Sequence, residues 1–469
     1  MKNLKKGLAL ICAMVLACGM FAGCGNSEDS NVEVFKMWTN SSSEREMEQV
    51  AEFNETIGKE NGIKIELTNY GADYAKTVEM AIANDQAPDF FKRQGSLQAQ
   101  VDKGNLLPIN ELPGMEDLIK DYEHMLSEGE HKIGDKIYSL PGRRIVYGMI
   151  YNKDMFKAAG IVDENGEAKY PRTFDEVYEY AKLLTNPDKN EYGFIFPLKW
   201  TGFWGTEVTK YFSTYSGKTA LDRDADKFDH SYIRPMVEWV LKMKDSGTLF
   251  PGSDSMENDA ARAQFAAGRI GMKMAASWDV YVLNDQFPAE CEWGACPLPK
   301  FDINDPDYYQ ASSIEQLIDV SSSVVKNGRD LEKVALIYKW FYSDERIGEL
   351  YQYAELIPAK AEIAEKYEVK VNKQGQQDFG DIAVLADRPS GSPWVSLKYE
   401  GEQMAAVLDK VWHGQMTLDE AIAQLDRDYN AAYDKAKQEN DMEKYYAQPI
   451  YDWKIPADVV ANSRFLGGK

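Results

Sequence analysis

The sequence predicts an α/β fold in which strands and helices alternate along the chain. Short apolar runs rich in β-branched and aromatic residues are separated by segments whose apolar residues recur every three or four positions. Three Ser/Thr-x-x-Glu patterns, at Ser43, Thr173 and Thr417, mark the starts of helices. A regular β-α order favours a mainly parallel sheet that is covered by helices.

The N-terminal part of the predicted fold contains three strand–helix pairs. Val32–Trp38 is apolar and rich in β-forming residues, residues 63–67 alternate as a half-buried strand, and Phe90-Phe91 form a short strand. The first helix begins at Ser43, and the third ends near Gly104. These pairs predict one complete α/β unit.

The segment Lys136–Phe156 combines a strand, a break and a second strand. Pro141-Gly142 ends the first strand, because proline lacks a backbone donor and glycine relaxes the chain. The pair Arg143-Arg144 follows, and then the apolar strand Ile145–Tyr151. This pattern predicts that the chain passes from one domain into another, with both arginines at the junction, where ligand sites tend to form.

The same alternation continues to the C-terminal part of the chain. Helices are expected from Thr173, over Tyr232–Asp245, over Asp259–Ala267, near Val334–Phe341 and from Thr417. Strands are expected at Phe194–Phe196, Ile270–Met274 and Trp293–Leu298.

The first residues are typical of a targeting segment. Lys2, Lys5 and Lys6 precede the apolar run Leu8–Phe21, which is too short to span a membrane as a stable helix. Phe21-Ala22-Gly23-Cys24 resembles the lipobox of bacterial lipoproteins. We therefore expect a signal peptide over residues 1–23, a lipidated Cys24 and a flexible tether over residues 24–31. An ordinary secretory signal with a chance cysteine is the alternative.

The chain is strongly acidic, with a formal net charge of −23. Nucleic acids and anionic membrane surfaces need a basic face, so neither is an expected partner. Attachment to the membrane would rest on the lipid alone.

Two cysteines beyond the lipobox, Cys291 and Cys296, lie five positions apart. The sequence between them reads as strand, in which their Cα atoms would be about 16 Å apart, far beyond disulfide range. Two buried thiols are favoured, although a turn between them would allow a disulfide.

Signatures of catalysis and metal binding are absent from the sequence. It has no Gly-x-Ser-x-Gly, His-Glu-x-x-His or Gly-x-Gly-x-x-Gly motif. The four histidines are scattered among polar residues and are expected on the surface. Asp188 begins a pattern like a calcium loop, but Lys199 stands where a bidentate carboxylate is needed. We therefore predict no catalytic residue, no metal and no cofactor.

Aromatic residues are the strongest functional signal. Trp38, Trp200, Trp204, Trp278 and Trp394 all lie at predicted strand ends or in Gly/Pro/Ser-rich loops. Ligands of α/β folds bind at the carboxyl ends of strands. Because an aromatic ring offers a flat apolar face, such a cluster suits the C–H faces of a sugar.

Several motifs, in this order and spacing, resemble the extracellular solute-binding lipoproteins (family 1) of carbohydrate ABC importers, which are similar to maltose- and oligosaccharide-binding proteins. Besides the lipobox, they are Ala87–Phe91, Lys103–Ile109, Tyr151–Phe156, Tyr170–Glu176, Phe265–Met272 and Gly414–Ala421. The resemblance runs from about residue 32 to residue 437. It implies a type II periplasmic-binding-protein-like fold, in which two lobes close on a ligand.

The resemblance also implies how the chain divides. Residues 32–143 and 307–357 would form lobe 1, and residues 144–306 and 358–460 would form lobe 2, with hinge crossovers between them. The protein would be a monomer that delivers its ligand to the permease subunits of an ABC transporter. It would be held by lipid on the outer face of a Gram-positive cell.

The positions that match ligand contacts in the family form the predicted site. They are Trp38, Asn40, Arg93, Gln94, Arg143, Arg144, Trp200, Phe203, Trp204, Trp278, Asp279 and Trp394.

Neutral-maltodextrin relatives carry carboxylates in the first lobe near three of these positions, where this chain has Arg93, Arg143 and Arg144. Arginine forks recognise carboxylates, so the hypothesis is an oligosaccharide that bears a uronate. Salt bridges within this acidic protein would equally explain Arg143 and Arg144. Two other functions are open: an extracellular glycosidase or polysaccharide lyase, and a receptor of the same fold for peptides or other non-sugar solutes.

Overall fold

The structure is a computed structural model that describes residues 32–40, 42–200, 202–209, 220–222, 224–386, 388–389, 397–439 and 454–466. The predicted signal peptide, Cys24, the tether and Trp394 lie outside the described residues. The strands are β1 Glu33–Thr39, β2 Ile63–Asn69, β3 Phe90–Phe91, β4 Lys132–Ile133, β5 Lys136–Ile137, β6 Arg143–Asn152, β7 Tyr192–Phe194, β8 Leu221–Asp222, β9 Lys227–Phe228, β10 Ile270–Ala276, β11 Trp293–Cys296, β12 Ala311–Glu315, β13 Asp319–Val320, β14 Ile357–Pro358 and β15 Arg388–Pro389.

Helices separate most of these strands. The α-helices are Glu44–Phe53, Lys59–Asn61, Tyr74–Ala83, Leu97–Asp102, Glu116–Tyr122, Lys153–Ala158, Phe174–Leu184, Arg234–Asp245, Asn258–Ala266, Asp279–Tyr281, Ser323–Lys326, Leu331–Phe341, Asp344–Gln352, Ala361–Lys366, Gln376–Val384, Met404–Trp412, Leu418–Glu439 and Ala457–Asn462. Three π-helical turns occur at Asn54–Gly58, Phe203–Val208 and Val282–Gln286. Within the described ranges, no helix has both the length and the apolar character needed to cross a membrane.

The first sheet has the strand order β13-β3-β1-β2. β1 runs parallel to β2 and β3, and β13 runs antiparallel to β3. Three consecutive strand–helix units therefore build this sheet, as the sequence predicts, whereas β13 comes from much later in the chain.

The second sheet is arranged around β6. β12 and β14 pair with the start of β6, and β10 and β11 pair with its later part. All four neighbours run antiparallel to β6, while β7 and β15 add parallel pairs at the edges. The expectation of a mainly parallel sheet thus holds for the first sheet only, because β6 crosses from one half of the fold into the other.

In the described ranges, two large hydrophobic cores lie on either side of this crossing, besides a smaller cluster that includes Phe91 of β3. The first contains buried residues from the ranges 35–140 and 318–363, among them Phe35 and Ile363. The second contains buried residues from the ranges 145–298 and 354–465, among them Trp239. Each core is thus built from discontinuous chain. The predicted lobe boundaries stay a prediction, and Ile363 contributes to the first core although it follows the boundary at residue 357.

Two tyrosines of one helix hold together the chain segments that leave the first core. The Tyr342 hydroxyl accepts a hydrogen bond from the Leu317 N–H and donates one to the Leu140 carbonyl, both at 2.9 Å. The Tyr338 hydroxyl accepts one from the Leu140 N–H at 3.2 Å. The segment before β6 and the segment after β12 are therefore fixed to one another.

Two local expectations from the sequence have opposite outcomes. Cys291 and Cys296 are both free and buried, as favoured. The prediction that all four histidines lie on the surface is wrong for His131 and His230, which are 3% and 0% exposed. Burial, with a smaller effect of the Arg93 charge, lowers the pKa of His131 to about 3. His230 Nδ1 lies 2.8 Å from Asp426 Oδ1, a partner 196 residues away in the sequence.

Candidate functional site

A cavity of about 450 Å³ lies beside the start of β6. Its size is in the range of small-ligand sites in proteins. The apolar part of its wall includes Ile145, Trp278, Val280 and Phe379, and the polar part includes Arg143, Glu355, Asn372, Lys373, Gln376 and Asp381. Apolar faces with convergent polar groups are the usual composition of a ligand site.

A second cavity, near Tyr170, Leu298 and Phe465, has a volume of about 50 Å³. That volume is enough for a few waters but not for a sugar ring. The larger cavity is therefore the candidate site.

Trp278 forms part of the apolar wall. It is the second residue of the turn after β10, and the residues of β10 are all buried, so the strand places the indole at the sheet's end. Its ring meets that of Tyr147 edge to face, with centroids 6.2 Å apart. Because Trp278 is only half-buried, part of its surface is open for stacking against a ligand.

Arg143 lines the cavity and forms a charge cluster with Glu315 of β12 and with Lys92, which follows β3. Its Nη2 lies 2.7 Å from Glu315 Oε2, and Lys92 Nζ lies 3.2 Å from the same oxygen. Burial disfavours the Glu315 carboxylate, but Arg143 and Lys92 outweigh it and hold the pKa of Glu315 well below its ordinary value. Glu315 is therefore ionised at neutral pH.

Lys92 is the member of this cluster whose charged form is disfavoured by its surroundings. Burial and the neighbouring charge of Arg143 lower its pKa, against the favourable effect of Glu315. Burial disfavours the charged form of Arg143 as well, but the carboxylate of Glu315 outweighs this effect, so the pKa of Arg143 lies above its ordinary value. The carboxylate of Glu315 thus pairs with two cations, both of which are partly removed from water.

Glu355 and Lys373 form a second polar pair on the cavity wall. Lys373 Nζ lies 3.6 Å from Glu355 Oε1 and 2.7 Å from Asp285 Oδ2. Burial raises the pKa of Glu355 to about 6, although Lys373 and the Ser43 hydroxyl lower it. Ser43 caps the helix Glu44–Phe53, which packs in the first core. Because Glu355 contacts both Ser43 and Lys373, the pair of Glu355 and Lys373 connects the two halves of the fold.

Of the sequence-predicted site residues, the structure brings Arg143 and Trp278 to the cavity. Arg144, next to Arg143, donates a hydrogen bond from Nη1 to the Ala386 carbonyl at 3.2 Å. Trp38 contacts Tyr70 edge to face at 4.9 Å, Asn40 is exposed, and the Gln94 side chain donates to the Lys92 and Arg93 carbonyls. Their roles in binding stay predictions.

Arg93 is buried and committed to other partners. Its Nη1 binds Asp319 Oδ1 at 2.8 Å and Ser139 Oγ at 3.1 Å, and Nη2 donates to the Glu130 carbonyl. The side chain is 5% exposed. In this conformation Arg93 ties β13 to β3 and has little surface for a ligand.

Four further predicted contacts do not line the cavity, and their roles in binding stay predictions. Phe203 and Trp204 are 0% and 2% exposed in the second core, against which the half-buried Trp200 also packs. Asp279 is 1% exposed and binds Arg262 Nε at 2.6 Å and the Ala276 N–H at 2.9 Å. An aromatic or acidic residue after a predicted strand can therefore lie either in the core or on the cavity wall, and the sequence does not distinguish the two.

The sequence reasoning missed Lys92, Glu315, Glu355 and Lys373. Lys92 had a usable signal, since it directly follows the strand Phe90–Phe91. Glu315 had none, because β12 reads Ala-Ser-Ser-Ile-Glu, without the apolar residues that mark a strand.

The two cores, the crossing strand and the cavity beside it define a class: α/β proteins with two lobes of the type II periplasmic-binding kind. The model of the bacterial extracellular solute-binding protein family matches residues 48–377. The chain belongs to this family.

Similar solved structures share this fold. An ABC substrate-binding protein from Listeria monocytogenes in complex with cycloalternan has a TM-score of 0.63 and 18% identity, covering 87% of this chain and 98% of that one. A chitin oligosaccharide binding protein has a TM-score of 0.65 and 17% identity, covering 86% and 100%. The maltotriose-bound maltodextrin-binding domain from Bdellovibrio bacteriovorus has a TM-score of 0.62 and 15% identity, covering 87% and 99%.

Curated relatives match over shorter stretches. A maltotriose-binding protein from Pyrococcus abyssi is 23% identical over 247 residues, which is 50% of this chain and 47% of the relative. A putative binding protein from Brucella abortus is 25% identical over 166 residues, 35% of this chain and 38% of the relative. The chain thus spans less than half the length of these curated relatives.

Proposed function

We propose that this protein is the substrate-binding component of an ABC importer and that it captures an oligosaccharide in the cavity beside β6. The observation that carries the proposal is the wall of this cavity, where the half-buried Trp278 adjoins charged and amide side chains. A ring face for stacking and polar edges for hydroxyl groups are what a sugar requires. Three similar structures and one relative support it, since their names give cycloalternan, chitin oligosaccharide and maltotriose as what those proteins bind.

Binding would use the two halves of the fold as lobes, with residues 32–143 and 307–357 against residues 144–306 and 358–460. A ligand favours closure only by the difference between its affinities for the closed and open forms. No covalent step is needed, so the protein would not be an enzyme. The lipid on Cys24, the outer face of a Gram-positive cell, the monomeric state and the permease partner belong to the same proposal.

The test is a thermal-shift screen of the purified protein against oligosaccharides, peptides and amino acids, followed by calorimetry on the hits. We expect stabilisation by at least one oligosaccharide, because a ligand that binds only the folded state raises the melting temperature by mass action. Trp278→Ala should weaken the binding of that ligand by about fivefold or more, since stacking of an aromatic face contributes roughly 1 kcal/mol or more.

Other outcomes of the screen would contradict the proposal. Stabilisation by peptides alone would indicate a receptor for a non-sugar solute. Chromatography of the sugar after incubation shows whether it is cleaved. Cleavage product in molar excess over the protein would indicate a glycosidase or lyase. Leu183→Ala, which alters an exposed residue outside the cavity wall, is the control variant.

A further inference from the structure

The cluster around Arg143, which lines the cavity, contains more positive than negative groups. Arg143 and Lys92 share the single carboxylate of Glu315. Their side chains are 29% and 19% exposed, and that of Glu315 is 30% exposed, so water screens the cluster only in part. An uncompensated cation in such surroundings favours the approach of an anion.

Arg143 also retains hydrogen-bonding capacity. It binds Glu315 Oε2 through Nε at 3.1 Å and Nη2 at 2.7 Å. Guanidinium has five N–H donors in a planar fork, so the two N–H groups of Nη1 are not used in this pair. Since Arg143 lines the cavity, a ligand there has access to its side chain.

The other acidic groups nearby pair with other cations. Glu46, which acts on Arg143 electrostatically, lies 3.6 Å from Arg346 Nη2. On the cavity wall, Glu355 shares Lys373 with Asp285, and Asp381 shares Arg464 with Asp378. The positive excess is therefore confined to Arg143 and Lys92, while carboxylates outnumber cations in these two other groups, so an anionic group of a ligand would be directed to Arg143.

We propose that Arg143, supported by the charge of Lys92, forms a carboxylate subsite in the cavity, and that the ligand is an oligosaccharide that bears a carboxylate, such as a uronate. This inference rests on the proposed function. The carboxylate binds Arg143 through a charge-assisted hydrogen bond and neutralises the surplus charge of the cluster. Glu315 orients Arg143, and Lys92, which does not line the cavity, contributes its charge only.

The experiment compares acidic and neutral oligosaccharides of matched skeleton by thermal shift and calorimetry. The pairs are oligogalacturonates and their methyl esters, glucuronoxylo-oligosaccharides and xylo-oligosaccharides, and sialyllactose and lactose. We expect an acidic member to bind best, about 10- to 100-fold more tightly than its neutral counterpart, as expected for a hydrogen bond between charged groups. This preference should diminish as salt is added.

Variants then identify the residue responsible. Arg143→Met should bring the acidic ligand close to the affinity of its neutral counterpart, while Lys92 still pairs with Glu315 and preserves the fold. Arg143→Lys keeps the charge without the fork and should lie between them. Arg234→Met is the matched control, because the Arg234 side chain is 38% exposed, pairs with Asp419 and does not line the cavity.

Glu315→Gln separates this proposal from simple hydroxyl binding. Removing the carboxylate that competes for Arg143 should raise the ratio of acidic to neutral affinity. An unchanged or lower ratio contradicts the proposal. If each neutral sugar binds as tightly as its acidic counterpart or more tightly, this proposal is also contradicted, but the proposed function is not. Failure of every sugar to bind contradicts the proposed function itself.

Discussion

Glu207 is buried beside Lys273 in the second half of the fold. Its Oε1 lies 3.9 Å from Lys273 Nζ, which donates its hydrogen bond to the Met274 carbonyl at 2.7 Å. Burial raises the pKa of Glu207 to about 7, because the attraction of Lys273 only partly offsets the loss of hydration. A neutral Glu207 is therefore favoured below neutral pH in the folded protein.

This shift predicts a pH dependence of stability. The folded pKa of about 7 lies above the ordinary value of 4.5, so the folded state binds more protons between these values. The contribution of Glu207 to stability is fully present below pH 4.5 and is lost as the pH rises through 7. Glu207→Gln should therefore gain stability relative to the wild type between pH 5 and pH 8.

Chemical denaturation at several pH values measures this difference. Glu55→Gln, a change at an exposed acid, should follow the wild type across the same range. A difference between Glu207→Gln and the wild type that does not vary with pH would contradict the prediction.

At the residue scale, Arg143 and Trp278 are predicted site residues that line the cavity, whereas other residues have distant partners that the sequence does not reveal. Arg93 is held by Asp319, which lies 226 positions later, and His230 by Asp426. Composition and local spacing carry no information about such partners. Phe203 and Trp204 have the same loop-end position as Trp278, and only the three-dimensional packing separates buried rings from exposed ones.

Secondary-structure elements were easier to predict where a local signal specifies them. The capping box at Thr173 is present: Thr173 Oγ1 accepts a hydrogen bond from the Glu176 N–H, and the Glu176 carboxylate accepts one from the Thr173 N–H. The helix then buries Phe174, whose carbonyl accepts a hydrogen bond from Trp239 Nε1 at 3.0 Å. The cap thus fixes where the helix enters the second core.

Thr173→Ala should destabilise the protein by about 1 kcal/mol, the usual cost of losing an N-cap side chain. Thr173→Ser retains the hydroxyl and should cost less. The measurement is the free energy of unfolding from urea titration of the three proteins. Equal stability of the alanine and serine variants would show that the cap contributes nothing here.

Elements without a local signal were missed. β12 is polar in sequence and is a strand because its residues pair with Arg143–Val146 of β6. Likewise, β10 and β11, which pair antiparallel with β6, come more than 100 residues later in the chain. The apolar run that forms β6 could be read from the sequence, but its neighbours could not.

On the scale of the whole molecule, the crossing between the two cores is tightly built. The Gly142 N–H donates to the Glu315 carbonyl at 2.8 Å, and the Ala359 N–H donates to the Gly142 carbonyl. A Cβ atom at Gly142 would lie 2.3 Å from Leu317 Cγ, so the close approach of these segments requires glycine. With Tyr342 holding Leu140 and Leu317 together, movement between the halves must occur beyond these contacts.

A ligand that closes the two halves should make the protein more compact. Small-angle scattering should give a smaller radius of gyration at saturating oligosaccharide than without it. Trp278→Ala should need a higher sugar concentration for the same change, because its affinity is lower. An unchanged radius at concentrations where calorimetry shows full binding would contradict closure.

The buried thiols make this protein suitable for site-specific labelling. Burial raises the pKa of Cys291 to about 12 and that of Cys296 well above its ordinary value, so neither forms the reactive thiolate readily. A cysteine introduced at exposed Asn372, on the cavity wall, would therefore react first with a maleimide dye. In a chain that begins after residue 24, such a conjugate would report the arrival of a ligand as a change in fluorescence.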